Sequence, residues 1–209
     1  MRGGTSKALM FHLHDLPAQQ HLWPDLFISA IGADDPYGRQ RSWTGGGTIT
    51  VSKASAISPS DRPDTDVDYR FFQLSSQNRV VDSSASCGNM AAAVGPFAVD
   101  EGLVSVNGER ICVRIFNVNT DRMIRSTFSL DEGTAAVNGD LCLPGVAGSG
   151  APIHLEFENP GGGGTGKLLP TGRPTDELQT QGARFEVSMV DAGNPILFVR
   201  AQNLGLAGI

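Results

Sequence analysis

The sequence predicts an α+β protein in which short strands wrap around one central helix. Three observations lead there. Apolar residues make up 40% of the chain against 18% charged, enough for a core and too little charge for a disordered polyelectrolyte. Glycine is in excess, at 26 residues beside 12 prolines, which marks many tight turns between short elements. One segment, residues 87–104, has sustained helical character, whereas several others alternate apolar and polar residues as half-buried strands do.

In chain order, residues 8–13 form a short apolar run, read as a first strand. Residues 25–31, after Pro17 and Pro24, read as a short helix ending at Gly32. Residues 34–38 are a turn. Gly45-Gly46-Gly47 leads into a strand over 48–57, with Lys53 late in it. Residues 61–68 contain Pro63 and three alternating aspartates, Asp64, Asp66 and Asp68, and read as a solvated surface loop. Residues 67–75 alternate as a strand. At 87–104, Ser84 or Ser86 can cap a helix, residues 88–94 favour it, and Gly95-Pro96 interrupts or kinks it before Gly102. Strands follow at 110–117, 123–130 and 153–157, with a link near 137–143. A last pair, 185–190 and 196–201, flanks the turn at 191–195.

At 209 residues the chain has room for one large domain or two small ones. Residues 1–181 are read as one lobe and 182–209 as the start of a second. A net charge of −6 argues against nucleic acid as a partner, because phosphate binding needs a basic face. No apolar run approaches the roughly 18 residues of a membrane span, and residues 1–7 lack the apolar core of a signal peptide. The three cysteines, Cys87, Cys112 and Cys142, are an odd number without metal-type spacing, which fits a reduced, cytoplasmic protein.

Two side chains stand out as chemistry. Cys87 sits at the predicted helix N-terminus, where free N–H groups favour a thiolate; the alternative is a small buried hydrophobe. Lys53 lies in a strand, where lysine is depleted. Partly buried, it would titrate low enough to act as a base; the alternative is a strand-edge lysine reaching solvent. Cys112 and Cys142, inside apolar runs, read as core residues. The loops Arg2-Gly3-Gly4-Thr5-Ser6-Lys7 and Gly45-Gly46-Gly47-Thr48 can form amide nests for an anion, or be a flexible end and a turn.

Residues 161–167 fit the G-x-x-x-x-G-K spacing of a phosphate loop. Leu168 stands where the magnesium-binding Ser/Thr belongs, and Leu169-Pro170-Thr171-Gly172 cannot start the required helix, so the segment is read as a flexible or substrate-flanking loop. His12, His14, His21 and His154 have no metal-type spacing, and the aspartates lack the glycine and terminal glutamate of a calcium loop.

Several motifs fall in order along almost the whole chain: Met1-Arg2-Gly3-Gly4-Thr5-Ser6-Lys7, Ser52-Lys53, Asp66-Val67-Asp68-Tyr69, Ser86-Cys87-Gly88-Asn89-Met90, Val94-Gly95-Pro96-Phe97-Ala98, Asn117-Val118-Asn119-Thr120, Gly166-Lys167-Leu168-Leu169-Pro170-Thr171-Gly172 and Asn194-Pro195. Together they resemble the 2-methylaconitate cis–trans isomerase family (the PrpF type), which also holds 4-oxalomesaconate tautomerases and methylitaconate isomerases. The resemblance implies a diaminopimelate-epimerase-like fold of two lobes, each a barrel-like sheet curled around a helix. Family members are nearly twice this length, so it implies a chain that stops near the start of the second lobe.

The resemblance also implies function. The family's lysine and cysteine fall on Lys53 and Cys87. Arg2, Gly3, Gly4, Thr5, Ser6, Ser52, Gly88, Asn89 and Met90 fall where an unsaturated tricarboxylate would be held. The implied reaction is an allylic proton shift without metal or other cofactor. Two alternatives stand beside it: an amino-acid epimerase or racemase on the same fold, which normally uses two opposed cysteines, and an inactive carboxylate-binding fragment. Apolar strands at 185–201 predict self-association, of which a homodimer is one form.

Overall fold

The computed structural model describes residues 1–37, 46, 48–75, 78–180 and 182–207. The chain forms two compact units, Met1–Glu158 and Asn159–Ile209.

The first unit opens with a minimal hairpin, β1 (Arg2–Gly3) and β2 (Ser6–Lys7), followed by β3 (Leu9–His12). Helix α1 (Trp23–Ile31) has Pro24 in its first turn and stops at Gly32, whose φ of 75° is the left-handed conformation that suits glycine. Next come β4 (Lys53–Pro59), β5 (Val67–Leu74), β6 (Val81–Asp82), helix α2 (Gly88–Asp100), β7 (Arg110–Asn117), β8 (Arg122–Asp131), β9 (Thr134–Ala135) and β10 (Ile153–Phe157). The main sheet runs β10-β8-β7-β5-β4-β3. Pairs β3/β4 and β5/β7 are parallel; β4/β5, β7/β8 and β8/β10 are antiparallel.

Alternation along the strands builds two cores. Tyr69, Phe71, Val113, Ile115, Ile124 and Phe128 pack with Met90, Ala91, Val94 and Phe97 of α2. Ala54, Ala56 and Leu74 pack with Trp23, Phe27, Ile28 and Ile31 of α1. Strand β4 is therefore buried on both sides over Lys53–Ile57, although Lys53 and Ser55 alternate there with Ala54 and Ala56. Its odd residues, Lys53 and Ser55 among them, share the α2 side with Ile57. Helix α2 approaches the sheet closely at Gly95, where an added Cβ would lie 2.6 Å from Ser126 Oγ and 2.7 Å from Phe128 Cε1. That explains Gly95 by packing.

Several sequence expectations need correction here. Residues 48–52 do not extend the strand: Ile49–Val51 form a 3-10 turn and Lys53 is the first residue of β4. Gly95-Pro96 does not interrupt α2, which runs unbroken to Asp100. No serine caps it; Cys87 is the N-cap and makes no side-chain cap bond. Cys112 and Cys142 are exposed. Cys112 lies on the outward side of β7, between the inward residues Ile111 and Val113, and Cys142 lies in a surface loop. The nest expected at Gly45-Gly46-Gly47 involves residues outside the described set.

Asp66 is not merely solvated. It accepts bonds from the Arg114 main-chain N–H at 2.7 Å and from the guanidinium at 2.7 and 3.2 Å, tying β5 to β7. Burial raises its pKa, but the Arg114 bonds and charge outweigh this and hold it below the usual 3.8. A carboxyl with a depressed folded pKa binds fewer protons than the unfolded chain near its ordinary pKa. Its stabilisation is thus complete above that ordinary value and lost as pH falls through the folded one. Urea unfolding from pH 7 to pH 3 should therefore show Asp66→Asn less stable than the parent at pH 7, with the gap closing at the acid end.

The second unit is a three-stranded antiparallel sheet: β11 (Asp176–Thr180), β12 (Ala183–Asp191) and β13 (Pro195–Val199). The expected lobe boundary at 181/182 falls within the β11–β12 hairpin. β11 escaped the sequence reading because Glu177, Gln179 and Thr180 are exposed and polar. In β13, Ile196, Leu197 and Phe198 are exposed, so this edge strand is apolar and open. Among the described residues no helix is long and apolar enough to cross a membrane.

The glycine-rich loop at 161–167 lies in this unit, and its amides already have an acceptor. Gly164 N, Thr165 N and Thr165 Oγ1 all donate to Asp191 Oδ2, at 2.9, 2.7 and 2.9 Å. A protein carboxyl fills the place a phosphate would take. Asp191 is fully buried, so Asp191→Ala strands three donors and should destabilise this unit by roughly 2–4 kcal/mol. Urea unfolding followed by the amide resonances of β12 would measure it.

Candidate active site

Lys53 begins β4 and faces the α2 side, 6% exposed. Its ammonium donates to Gln73 Oε1 and lies 5.7 Å from the centroid of the Phe71 ring. Gln73 stands opposite it in register and cannot flip. Its Nε2 donates to the carbonyls of Ile49, Ser52 and Leu74 at 3.2, 2.9 and 3.0 Å, which leaves the amide oxygen for Lys53. No carboxylate pairs with Lys53 among the described residues. Burial pushes its pKa below that of an ordinary lysine, opposed in part by the charge of Cys87.

Cys87 is the N-cap of α2, in extended conformation, with its carbonyl accepting from Ala91 N at 2.9 Å. Its side chain is half-buried against the core that holds Tyr69. A thiolate there acts on both Lys53 and Tyr69. The structure thus brings the predicted amine and thiol into one charged neighbourhood, and the reading of Lys53 as a solvent-reaching edge lysine fails. Burial holds the Tyr69 hydroxyl well above its usual range. It and the Ser55 hydroxyl are near neighbours, yet neither finds a partner of good hydrogen-bond geometry.

The hairpin 2–7 is ordered against the start of α2, not a loose end. An added Cβ at Gly3 would lie 2.1 Å from the Asn89 carbonyl oxygen; one at Gly4, where φ is 52°, would lie 2.5 Å from Asn89 Oδ1. Asn89 Nδ2 donates to Thr5 Oγ1 at 3.0 Å and Ser6 Oγ at 3.3 Å. Gly3, Gly4, Thr5, Ser6 and Asn89 therefore form one group. Gly88 is different: a Cβ there would meet only Phe157, at an ordinary 3.7 Å, so internal packing does not demand glycine.

Arg2, Gly3, Gly4, Gly88 and Asn89 line a cavity of about 430 Å³ whose other walls are mainly apolar. Lys53 and Cys87 do not line it. The chain from Cys87 through Gly88 to Asn89 links the two groups. Two other expected ligand contacts are placed differently. Met90 is fully buried in the core and does not line this cavity. Ser52 is fully buried and donates its hydroxyl to the Thr48 carbonyl at 2.8 Å, so it shapes the approach to Lys53.

Sequence reasoning missed the supports. Asn117 Nδ2 donates to Ser86 Oγ at 2.6 Å, fixing the residue before Cys87. Asn119 binds the main chain of Phe71 through both ends of its amide and the Ser83 carbonyl at 2.7 Å. The motif Asn117-Val118-Asn119 signalled importance without revealing this role. His12 Nε2 bonds Glu101 at 3.1 Å, and no metal-type cluster occurs among the described residues.

Comparison with known proteins gives the ancestry. The family model described as PrpF protein matches residues 1–209. The chain is 40% identical to a protein named 3-methylitaconate isomerase from Eubacterium barkeri, over all of this chain and 54% of that protein. It is 40% identical to one named 2-methyl-aconitate isomerase from Shewanella oneidensis, over all of this chain and 55% of that protein. A crystal structure titled methylitaconate-delta-isomerase superposes with a TM-score of 0.80 at 40% identity, over 99% of this chain and 53% of that one. The chain spans about half the length of the curated relatives it matches.

Proposed function

Because the chain belongs to the PrpF protein family, with the diaminopimelate-epimerase-like fold of its relatives, we propose that it serves as an isomerase of unsaturated tricarboxylates of the 2-methylaconitate or 4-oxalomesaconate type. In this reading residues 1–181 belong to the family's first lobe and 182–209 begin its second. The observation that carries the chemistry is a buried lysine, held by Gln73 without a carboxylate partner among the described residues, that feels the charge of a cysteine at a helix N-terminus.

In the proposed reaction the neutral amine of Lys53 takes a proton from the carbon next to a carboxylate or keto group. Its lowered pKa puts more amine in the basic form near neutrality. The electron pair delocalises into a dienolate. The free N–H groups at the start of α2 and the Arg2–Lys7 hairpin face the developing charge. The Lys53 ammonium then returns a proton to the far end of the allylic system, or a Cys87 thiol gives its proton there and recovers one from the Lys53 ammonium, and the double bond moves or resets its geometry. Every step uses protein groups. A cytoplasmic location fits such a metabolic role.

Incubation with 2-methylaconitate in D2O, followed by proton NMR, tests this. Isomerisation with deuterium entering the allylic carbon is the expected result. Exchange of the α-proton of proline or another amino acid instead would favour an epimerase. Saturable binding of tricarboxylate with no exchange would favour a carboxylate-binding fragment.

A further inference from the structure

On the α1 side of the main sheet a second cleft, of about 370 Å³, lies away from Lys53 and Cys87. Its volume falls in the range of small-molecule pockets, roughly 300–1,000 Å³. Trp23 and Phe27 of α1 and Phe72 of β5 form its apolar wall; Trp23 and Phe72 meet edge to face with centroids 5.9 Å apart. Asn119 forms a rigid polar wall, since its amide is already engaged. Arg70 projects into this cleft from β5, and it is the one charged residue among the described residues that line it.

Arg70 has no part in the chemistry above. Its neighbours on β5, Tyr69 and Phe71, face α2, while Arg70 and Phe72 take the opposite side. No carboxylate pairs with it among the described residues. Its Nε is buried and has no hydrogen-bond partner. Arg62 pairs with Asp68, Arg79 with Asp25 and Asp34, and Arg125 with Glu158. The exposed Arg2 and Arg110, like Arg70, lack a carboxylate among the described residues; of these three, Arg70 is the one that shares a cleft with aromatic side chains. In a chain of net charge −6, an arginine that shares a cleft with aromatic rings and has no carboxylate among the described residues lacks the anion its planar fork is shaped to hold.

We propose that this cleft is a second ligand site, for a small planar carboxylate whose anionic group pairs with Arg70 and whose flat body rests against Trp23 and Phe72. An exposed ion pair alone contributes little in water, so the carboxylate and the apolar body are both required. This excludes inorganic anions and neutral aromatics as good ligands. The proposal stands independently of the isomerase reading.

Trp23 makes the site readable. The chain has two tryptophans, so in a Trp43→Phe background fluorescence reports Trp23 alone. Titration with benzoate should give a saturable change in the millimolar range. Benzyl alcohol and phosphate should require at least tenfold more ligand. Arg70→Met should abolish saturation with unchanged far-ultraviolet circular dichroism, and Arg70→Lys, which keeps charge but loses the fork, should weaken binding several-fold. Lys53→Met should leave the curve unchanged. A linear, non-saturating response to benzoate, equal saturation in a folded Arg70→Met, or loss of binding in Lys53→Met would each overturn the proposal.

Discussion

Lys53→Met is expected to reduce isomerase turnover by about 10²–10⁴-fold, the usual contribution of a positioned acid or base, while the fold becomes no less stable. The second half of this expectation separates a catalytic lysine from a structural one. Lys53 is buried and held by the amide oxygen of Gln73 without a carboxylate partner. Burial lowers its pKa, so between the folded and ordinary lysine values the unfolded chain binds more protons, and stability rises with pH across that window. At neutral pH and below, the charged amine opposes folding. Methionine has similar length and no charge, so thermal unfolding at pH 7 should show an equal or higher midpoint. A large fall in stability together with lost activity would instead assign Lys53 a structural role.

Gly3→Ala is expected to damage the site from the other side. Its Cβ would meet the Asn89 carbonyl oxygen, the Asn89 carbonyl carbon and the Met90 Cα, all main chain of α2. Met90, Ala91 and Val94 anchor that helix in the core, so the hairpin must move. The Asn89 bonds to Thr5 and Ser6 break with it. Overpacking of this kind costs about 1–3 kcal/mol, and if the proposed reaction holds KM should rise more than tenfold, as the amides proposed to face the carboxylates are displaced. Gly88→Ala is the informative contrast. The space there is open, and alanine favours helix over glycine by roughly 1 kcal/mol. That variant should keep or gain stability and still lose turnover, because the methyl group would intrude where the proposed mechanism brings substrate in. Denaturant titration and steady-state kinetics on both variants read the difference.

Much of this arrangement was legible in the chain. The strands at 110–117 and 153–157 show plain alternation or β-rich composition, and Gly32 marks the end of α1 by the conformation it must adopt. The helix from Cys87 was visible in its alanines, and with it the placement of the thiol at an N-terminus. What was not legible depended on long-range packing. Pro96 reads locally as a break, yet α2 continues because the core holds both halves of the helix. Ser52 and Met90 read as ligand contacts through motif position alone, whereas burial turns them inward. Gln73 looked like any polar strand residue until register placed it opposite Lys53. The loop at 161–167 resembled a phosphate loop by spacing alone, and only the distant Asp191 showed what its amides bind.

The central claim is that a desolvated amine and a thiol share one site. The chain has three lysines, Lys7, Lys53 and Lys167, so the ε-carbon resonances of lysine-labelled protein can be followed individually through a pH titration. The account predicts that Lys53 titrates below the ordinary lysine range, and lower again in Cys87→Ala, because the opposing charge of the thiolate is then gone. A Lys53 that titrates like a free lysine, or one that Cys87→Ala leaves unmoved, would contradict it.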